Sequence, residues 1–354
     1  MSSRSVVERE ARPPVGRGES RGWSARLDGR LICRLAALAI AGGCGGSSLP
    51  EGVSVDLLVP AGASSQHIAR LLDSVGLIDH PQLFSAYARF QGAASHLKAG
   101  RYRLASGSSY AELLEILRSG AVVTVPLTIP EGLTIREVAG RIAEYAGESA
   151  ESVQAFLEDS TRVTELGVPG PTLEGYLFPE TYRFAEGVGV EVIVGEIVGR
   201  YRAFWGEAER VQAAALGLGE REVVTLASIV EEEARVGEER PVIARVYLNR
   251  LDIGMLLQAD PTVQYALGEP KPRLLYRDIE AVADHPYNTY TQPGLPPGPI
   301  ASPGQASLRA ALDPADHDFL FFVARIDGSH EFTRTVREHN NAKNRIRRER
   351  DADR

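Results

Sequence analysis

The run Thr225-Leu-Ala-Ser-Ile-Val-Glu-Glu-Glu-Ala234 ends a strongly apolar segment in three consecutive carboxylates. In a helix advancing about 100° per residue, Val223, Ala227, Val230 and Ala234 form the centre of an apolar stripe. Glu232 falls on the opposite, solvated side, and the other two glutamates take the shoulders. Glu231 has Val224 and Ala227 as neighbours; Glu233 has Leu226 and Ile229. A carboxyl on such a shoulder is partly desolvated, which penalises its charged form and raises its pKa. A glutamic acid held protonated near neutral pH can serve as a general acid. The plainer reading of the same run is a helix end with a solvated negative edge, and the run alone leaves both shoulders open.

The 354 residues suffice for two domains with separate cores. Hydrophobic content of 44% with 24% charged residues fits a folded protein rather than a disordered one. A net charge of −8 argues against a nucleic-acid partner, because phosphate binding needs a basic face. The basic residues near the C-terminus (Lys343, Arg345, Arg347, Arg348, Arg350) alternate with Glu349, Asp351 and Asp353 and read as a solvated helix. No phosphate-cradling glycine loop is evident, and the seven histidines lack metal-ligand spacing. Neither a metal nor a cofactor is therefore expected. The two cysteines, Cys33 and Cys44, both sit in the N-terminal apolar segment, so the chain beyond residue 44 has neither a disulfide framework nor a thiol nucleophile.

Residues 1–30 are polar, charged and without apolar period, and read as a disordered extension. Residues 31–49 carry a short apolar run behind basic residues and read as an export signal or anchor. Small residues before Cys44 and a Gly/Ser spacer after it resemble a lipoprotein processing site, although Ala41 stands where that pattern usually has Leu. Lipidation at Cys44 and a short membrane anchor are the two expectations. Either delivers the remainder to the outer side of a bacterial inner (cytoplasmic) membrane.

The elements that must position the acidic run can be read in order along the chain. Val55 to Gly62 with the helix from Ser65, and Val125 to Gly132 with the helix from Thr134, look like two copies of one strand, Pro-x-Gly turn and amphipathic helix. Between them a helix over 82–90, a strand over 100–104 and a capped helix over 109–118 complete a β-α-α-β lobe near 52–123. From about 150 the pattern is helical, with helices over 152–157, 190–205, 211–216 and 241–251. After 252 it turns loop-rich, a strand over 319–326 closes the sheet, and His339 begins the last helix. The long passage Gly294-Leu-Pro-Pro-Gly-Pro-Ile-Ala-Ser-Pro-Gly304 is of a kind that shapes functional surfaces. The class is α+β, a small lobe followed by a mixed α/β domain over 124–350.

Several segments in this order, Leu173-Glu-Gly-Tyr-Leu-Phe-Pro-Glu-Thr-Tyr182, Leu226-Ala-Ser-Ile-Val-Glu-Glu-Glu233, Val246-Tyr-Leu-Asn-Arg250, Gly254 to Thr262, Tyr287-Asn-Thr-Tyr290 and Gly294 to Ile300, resemble the bacterial endolytic murein transglycosylase (YceG-like) family. The resemblance implies a LysM-like lobe, a mixed α/β catalytic domain and an N-terminal anchor. It also implies a lyase-type cut of peptidoglycan glycan strands between N-acetylmuramic acid and N-acetylglucosamine, leaving 1,6-anhydro ends. Peptidoglycan synthases are possible partners. The family's catalytic glutamate lands on Glu233. Tyr287 and Tyr290 could stack on sugar rings, Asn288 could bond an N-acetyl group, and Glu174, Glu180 and Gln258 could line the cleft. Asp260, ahead of Pro261, reads first as a helix cap and otherwise as the water-directing partner of a muramidase-type hydrolase. A wall-binding scaffold without turnover is the remaining alternative.

Overall fold

The computed structural model describes residues 48–352. Cys44 and most of the anchor segment, like the 1–30 extension, lie outside the described residues. Among those described, no helix is long and apolar enough to cross a membrane. The chain separates into two compact units that meet between Ala121 and Val122.

The first unit runs β1 (Ser54–Val59), α1 (Ser65–Ser74), α2 (Pro81–Phe90), β2 (Gly100–Ala105) and α3 (Tyr110–Ser119). The strands pair antiparallel from Ser54 opposite Ala105 to Val59 opposite Gly100. Leu57 and Val59 turn inward and Leu58 outward, the alternation a half-buried strand requires. They meet Ile68, Leu72, Phe84, Tyr102 and Leu113 in the core of this β-α-α-β lobe. Ser64 caps α1, and Ser109 with Glu112 forms a reciprocal capping box on α3.

The second unit opens by repeating that plan: β3 (Thr124–Thr128), α4 (Ile135–Ala146), α5 (Ala150–Glu158), a short α6 (Ser160–Leu166), β4 (Thr181–Ala185) and α7 (Val190–Phe204). β3 pairs antiparallel with β4 as β1 does with β2. The repeat extends further than the opening strands and helices. Tyr102 of β2 and Tyr182 of β4 each donate a hydroxyl hydrogen bond at 2.7 Å to the carbonyl four residues earlier. Gly107 and Gly187 follow at matching places, both with positive φ.

The rest is helical: α8 (Glu207–Ala215), α9 (Glu220–Glu233), α10 (Arg240–Asp252), α11 (Asp260–Leu267), α12 (Tyr276–Ala281) and α13 (Gln305–Leu312). A hairpin of β5 (Phe321–Ala324) and β6 (His330–Thr333) precedes α14 (Val336–Ala352). Helix α9 does not present one apolar stripe with two shoulders. Every residue from Val223 to Val230 is at most 1% exposed, Thr225 and Ser228 included, so the helix is enclosed on all sides between its first and last turns. Its buried hydroxyls are satisfied locally, Thr225 on the Arg221 carbonyl and Ser228 on the Thr225 carbonyl. α10 and α13 pack against it.

Three readings of the sequence are corrected. The strand expected over 319–326 closes no larger sheet: β5 pairs with β6 alone, and the described strands form three two-stranded sheets. α14 begins at Val336, three residues before His339. The loop-rich stretch after 252 holds α11 and α12, and Pro261 sits in the first turn of α11, where its missing N–H goes unneeded.

The Pro/Gly passage is fastened to α9 and to the β3–α4 turn. Ile300 N–H donates to Ser228 Oγ at 3.1 Å, and Ser302 exchanges backbone hydrogen bonds with Gly132 and Leu133. Gly175 has φ +82°, and a Cβ there would stand 2.3 Å from Pro299 Cβ. Gly175→Ala combines left-handed strain with overpacking and should cost about 3 kcal/mol, read as a lower denaturant midpoint. A cost below about 1 kcal/mol would show that the passage can withdraw from this contact.

Candidate active site

Helix α9 ends at Glu233, with Ala234 extended at φ −81° and ψ 107°. Its last turn contains three glutamates and no basic residue, against the preference of a helix C-terminus for positive charge. The three carboxyls diverge. Glu231 pairs with Arg240 at 3.2 Å through Oε1 and accepts the Gly304 N–H at 2.9 Å through Oε2, with its side chain 7% exposed. Both of its oxygens are thus engaged, and it braces α9 against α10 and the start of α13. Glu232 stays open to solvent but reaches toward Gly132. Partial desolvation, then Glu231 and Glu137, push its pKa up to about 7, an effect the solvent around it screens.

Glu233 is half-buried, and its Oε1 accepts the Tyr247 hydroxyl at 2.9 Å. Desolvation pushes its pKa up to about 7. The Tyr247 bond and the Arg250 charge pull it down, while Asp260 and Glu232 push it up. Tyr247 is buried on α10, edge-on to Phe322 with ring centroids 5.9 Å apart. Arg250, one turn further along α10, donates to the Leu320 carbonyl at 2.7 Å and to the Leu257 carbonyl, and lies over the Phe321 ring. Asp260, the first residue of α11 rather than its cap, accepts the Tyr290 hydroxyl on Oδ1 at 2.5 Å.

Gln258 is the single non-glycine residue with positive φ (49°) among the described residues. That conformation costs on the order of 1–3 kcal/mol and is imposed from both sides. Arg250 holds the Leu257 carbonyl, while Thr289 accepts the Gln258 N–H with its carbonyl and the Ala259 N–H with its hydroxyl. The clamp leaves the Gln258 residue exposed, two positions from Asp260.

A second cluster surrounds Glu174, which is 4% exposed. Its oxygens accept the Ile135 N–H at 3.0 and 3.1 Å, and Oε2 also accepts the Tyr265 hydroxyl at 3.2 Å. Burial pushes its pKa up to about 8 against these donors. Glu174 and Glu232 line one cavity of about 590 Å³ together with Thr134, Gln264, Tyr265 and His285. Tyr287 packs on Tyr265 with ring centroids 4.8 Å apart. Asn288 is fully buried: its amide donates to the Ile279 and Val282 carbonyls and its Oδ1 accepts the Tyr290 N–H. Those bonds make it an internal brace of the loop. Glu180 forms a surface ion pair with Arg200 at 3.2 Å.

The structure therefore brings Glu233, Asp260 and Tyr290 together and places Glu174 and Tyr287 in a neighbouring group. The sequence reading missed Tyr247, Arg250, Thr289 and Tyr265. For the first two a signal existed, since they stand three apart and so share one helix face. Among the described residues no group of three His, Cys, Asp or Glu side chains could hold a metal ion.

An enclosed helix that ends in a sheltered carboxyl, ringed by tyrosines and a second carboxylate, is an arrangement able to move a proton onto a leaving oxygen. Comparison with known proteins gives it a family. The YceG-like family model matches residues 57–345, and the chain belongs to that family of endolytic murein transglycosylases. It is 36% identical over 306 residues to the endolytic murein transglycosylase of Bacillus subtilis, covering 82% of this chain and 84% of that one. It is 31% identical over 326 residues to the enzyme of that name from Streptococcus pneumoniae, covering 80% of this chain and 58% of the relative. The crystal structure of a putative YceG-like protein from Listeria monocytogenes aligns with a TM-score of 0.57 at 34% identity, covering 81% of this chain and 98% of the other.

Glu174 provides a test of the electrostatics. Its carboxyl keeps a proton in the folded chain up to about pH 8, whereas the ordinary value is 4.5. The folded state then binds more protons than the unfolded one between those limits, so stability falls as pH rises from about 5 to 8. Glu174→Gln should flatten that fall, seen as a smaller loss of melting temperature between pH 5.5 and 8.5. An unchanged slope would mean Glu174 is ionised in the fold.

Proposed function

We propose that this chain cuts peptidoglycan glycan strands internally, between N-acetylmuramic acid and N-acetylglucosamine, with Glu233 as acid and then base. The observation that carries the reading is the state of the three helix-end glutamates. Glu231 is locked, Glu232 is solvated, and Glu233 is half-sheltered with Oε2 in no hydrogen bond among the described residues. Protonated Glu233 gives its proton to the glycosidic oxygen as the bond to C1 breaks. The muramyl C6 hydroxyl attacks C1 and returns a proton to the Glu233 carboxylate. The products are a 1,6-anhydro end and a free glucosaminyl hydroxyl, and no water is consumed. A single carboxyl serves both steps, unlike the paired carboxylates of most glycoside hydrolases.

Asp260, Tyr290 and the strained Gln258 form the sugar-facing surround of Glu233 in this reading. Glu174, Tyr287 and Asn288 act by holding the neighbouring cavity and loop. The LysM-like lobe over 52–123 grips the strand. Cys44 or the anchor segment keeps the catalytic domain, residues 124–350, on the outer face of the inner membrane, within reach of nascent strands and their synthases. The alternative reading is hydrolysis, with Asp260, whose Oδ1 accepts the Tyr290 hydroxyl, directing water beside Glu233.

Incubation with uncrosslinked glycan strands followed by mass spectrometry should show anhydro-muramyl ends. Glu233→Gln should lower their rate by roughly 10²–10⁴ while Glu232→Gln retains most of it. Reducing ends would support the hydrolytic reading, and an inactive Glu232→Gln with an active Glu233→Gln would move the acid to Glu232. Because the acid must be protonated, kcat/KM should decline as pH rises through about 7.

A further inference from the structure

We infer that Tyr247 is the positioning residue of Glu233: its hydroxyl occupies Oε1 and so assigns the transferable proton to Oε2. The inference rests on the reading of Glu233 as the acid. Tyr247 is 1% exposed, and among the described residues its hydroxyl makes one hydrogen bond, the 2.9 Å bond to Glu233. A phenol has a single proton, and this one points at Oε1. A neutral carboxyl carries its proton on one oxygen only. Placing it on Oε1 would leave the buried phenol facing a carboxyl hydroxyl oxygen, a much poorer acceptor than a carbonyl oxygen. The proton therefore resides on Oε2, the oxygen that makes no hydrogen bond within the described chain.

The same bond changes character during turnover. Once Oε2 has released its proton, Oε1 belongs to a carboxylate, and the Tyr247 bond becomes charge-assisted and stronger. Tyr247 thus stabilises the state between the acid and base steps and limits how far burial raises the acid. The groups facing Glu233 and Tyr247 are Arg250 on α10, Asp260 on α11 and Glu232 on α9, with Tyr290 bound to Asp260. Arg250 is anchored through Nε and Nη1 on the Leu320 and Leu257 carbonyls and makes no hydrogen bond to Glu233 among the described residues. Phe322 fixes the tyrosine ring, and His330 beyond it is paired with Glu239. Filling the space needs only a phenylalanine there; the buried hydroxyl serves Glu233.

The test uses the full chain on uncrosslinked glycan strands. Tyr247→Phe removes one hydrogen bond at constant ring volume. It should move the alkaline limb of kcat/KM upward by about one pH unit and lower kcat about tenfold, with KM within about twofold. Incorporation of 3-fluorotyrosine at position 247, a stronger donor of nearly equal size, should move the limb the opposite way and carries the test if Tyr247→Phe does not fold. Limbs that coincide with the parent's in both forms would overturn the inference, even where Glu233→Gln is inactive. Retained activity in Glu233→Gln would instead remove the acid assignment on which the inference stands.

Discussion

The enclosure of α9 is the constraint on which the site depends. Eight successive residues, Val223 to Val230, are out of contact with water, so the helix cannot rotate or slide without exposing apolar surface at about 25 cal/mol per Å². Its last turn is therefore delivered to one place, where three carboxyls meet the negative end of the helix dipole. That arrangement disfavours charge, and the surroundings resolve it differently for each residue. Glu231 receives Arg240 and a backbone N–H, Glu232 receives solvent, and Glu233 receives a phenol.

Around that fixed end, side chains of helices hold the backbone of loops. Ser228 takes the Ile300 N–H, Glu231 the Gly304 N–H, and Arg250 the carbonyls of Leu257 and Leu320. Each bond satisfies a backbone group that a buried loop would otherwise leave unpaired. Together they transmit the rigidity of α9 and α10 to segments without regular structure of their own. The strained Gln258 is the clearest product: a left-handed glutamine persists only because Arg250 and Thr289 hold the peptides on either side of it.

What was legible in the sequence was local. The capped helices and the first strands of both repeats could be read from spacing, as could the singular character of the acidic run. The equivalence of Tyr102 and Tyr182 was not, because it depends on a hydroxyl bond back to the preceding turn in each copy. The all-round burial of α9 was hidden as well. A helical wheel registers Thr225 and Ser228 as polar, while the fold satisfies both within the helix and buries them. Glu174 shows the same limit across distance. Its environment comes from Ile135, 39 residues away, and Tyr265, 91 residues away, and no local pattern encodes that meeting. The hairpin of β5 and β6 was misread because a strand's partner is a tertiary fact.

Glu174 and Glu233 together separate two properties that are easily merged. Both are sheltered carboxyls whose pKa burial raises, Glu174 further than Glu233. Proton transfer nevertheless requires an oxygen that a substrate can approach as well as a proton held at neutral pH. At Glu174 both oxygens receive donors from Ile135 and Tyr265, so its neutrality seals an internal junction between the start of α4 and α11. At Glu233 one oxygen is bound and the other makes no hydrogen bond among the described residues. A raised pKa marks both residues, and the oxygen without a hydrogen bond among the described residues sets Glu233 apart from Glu174.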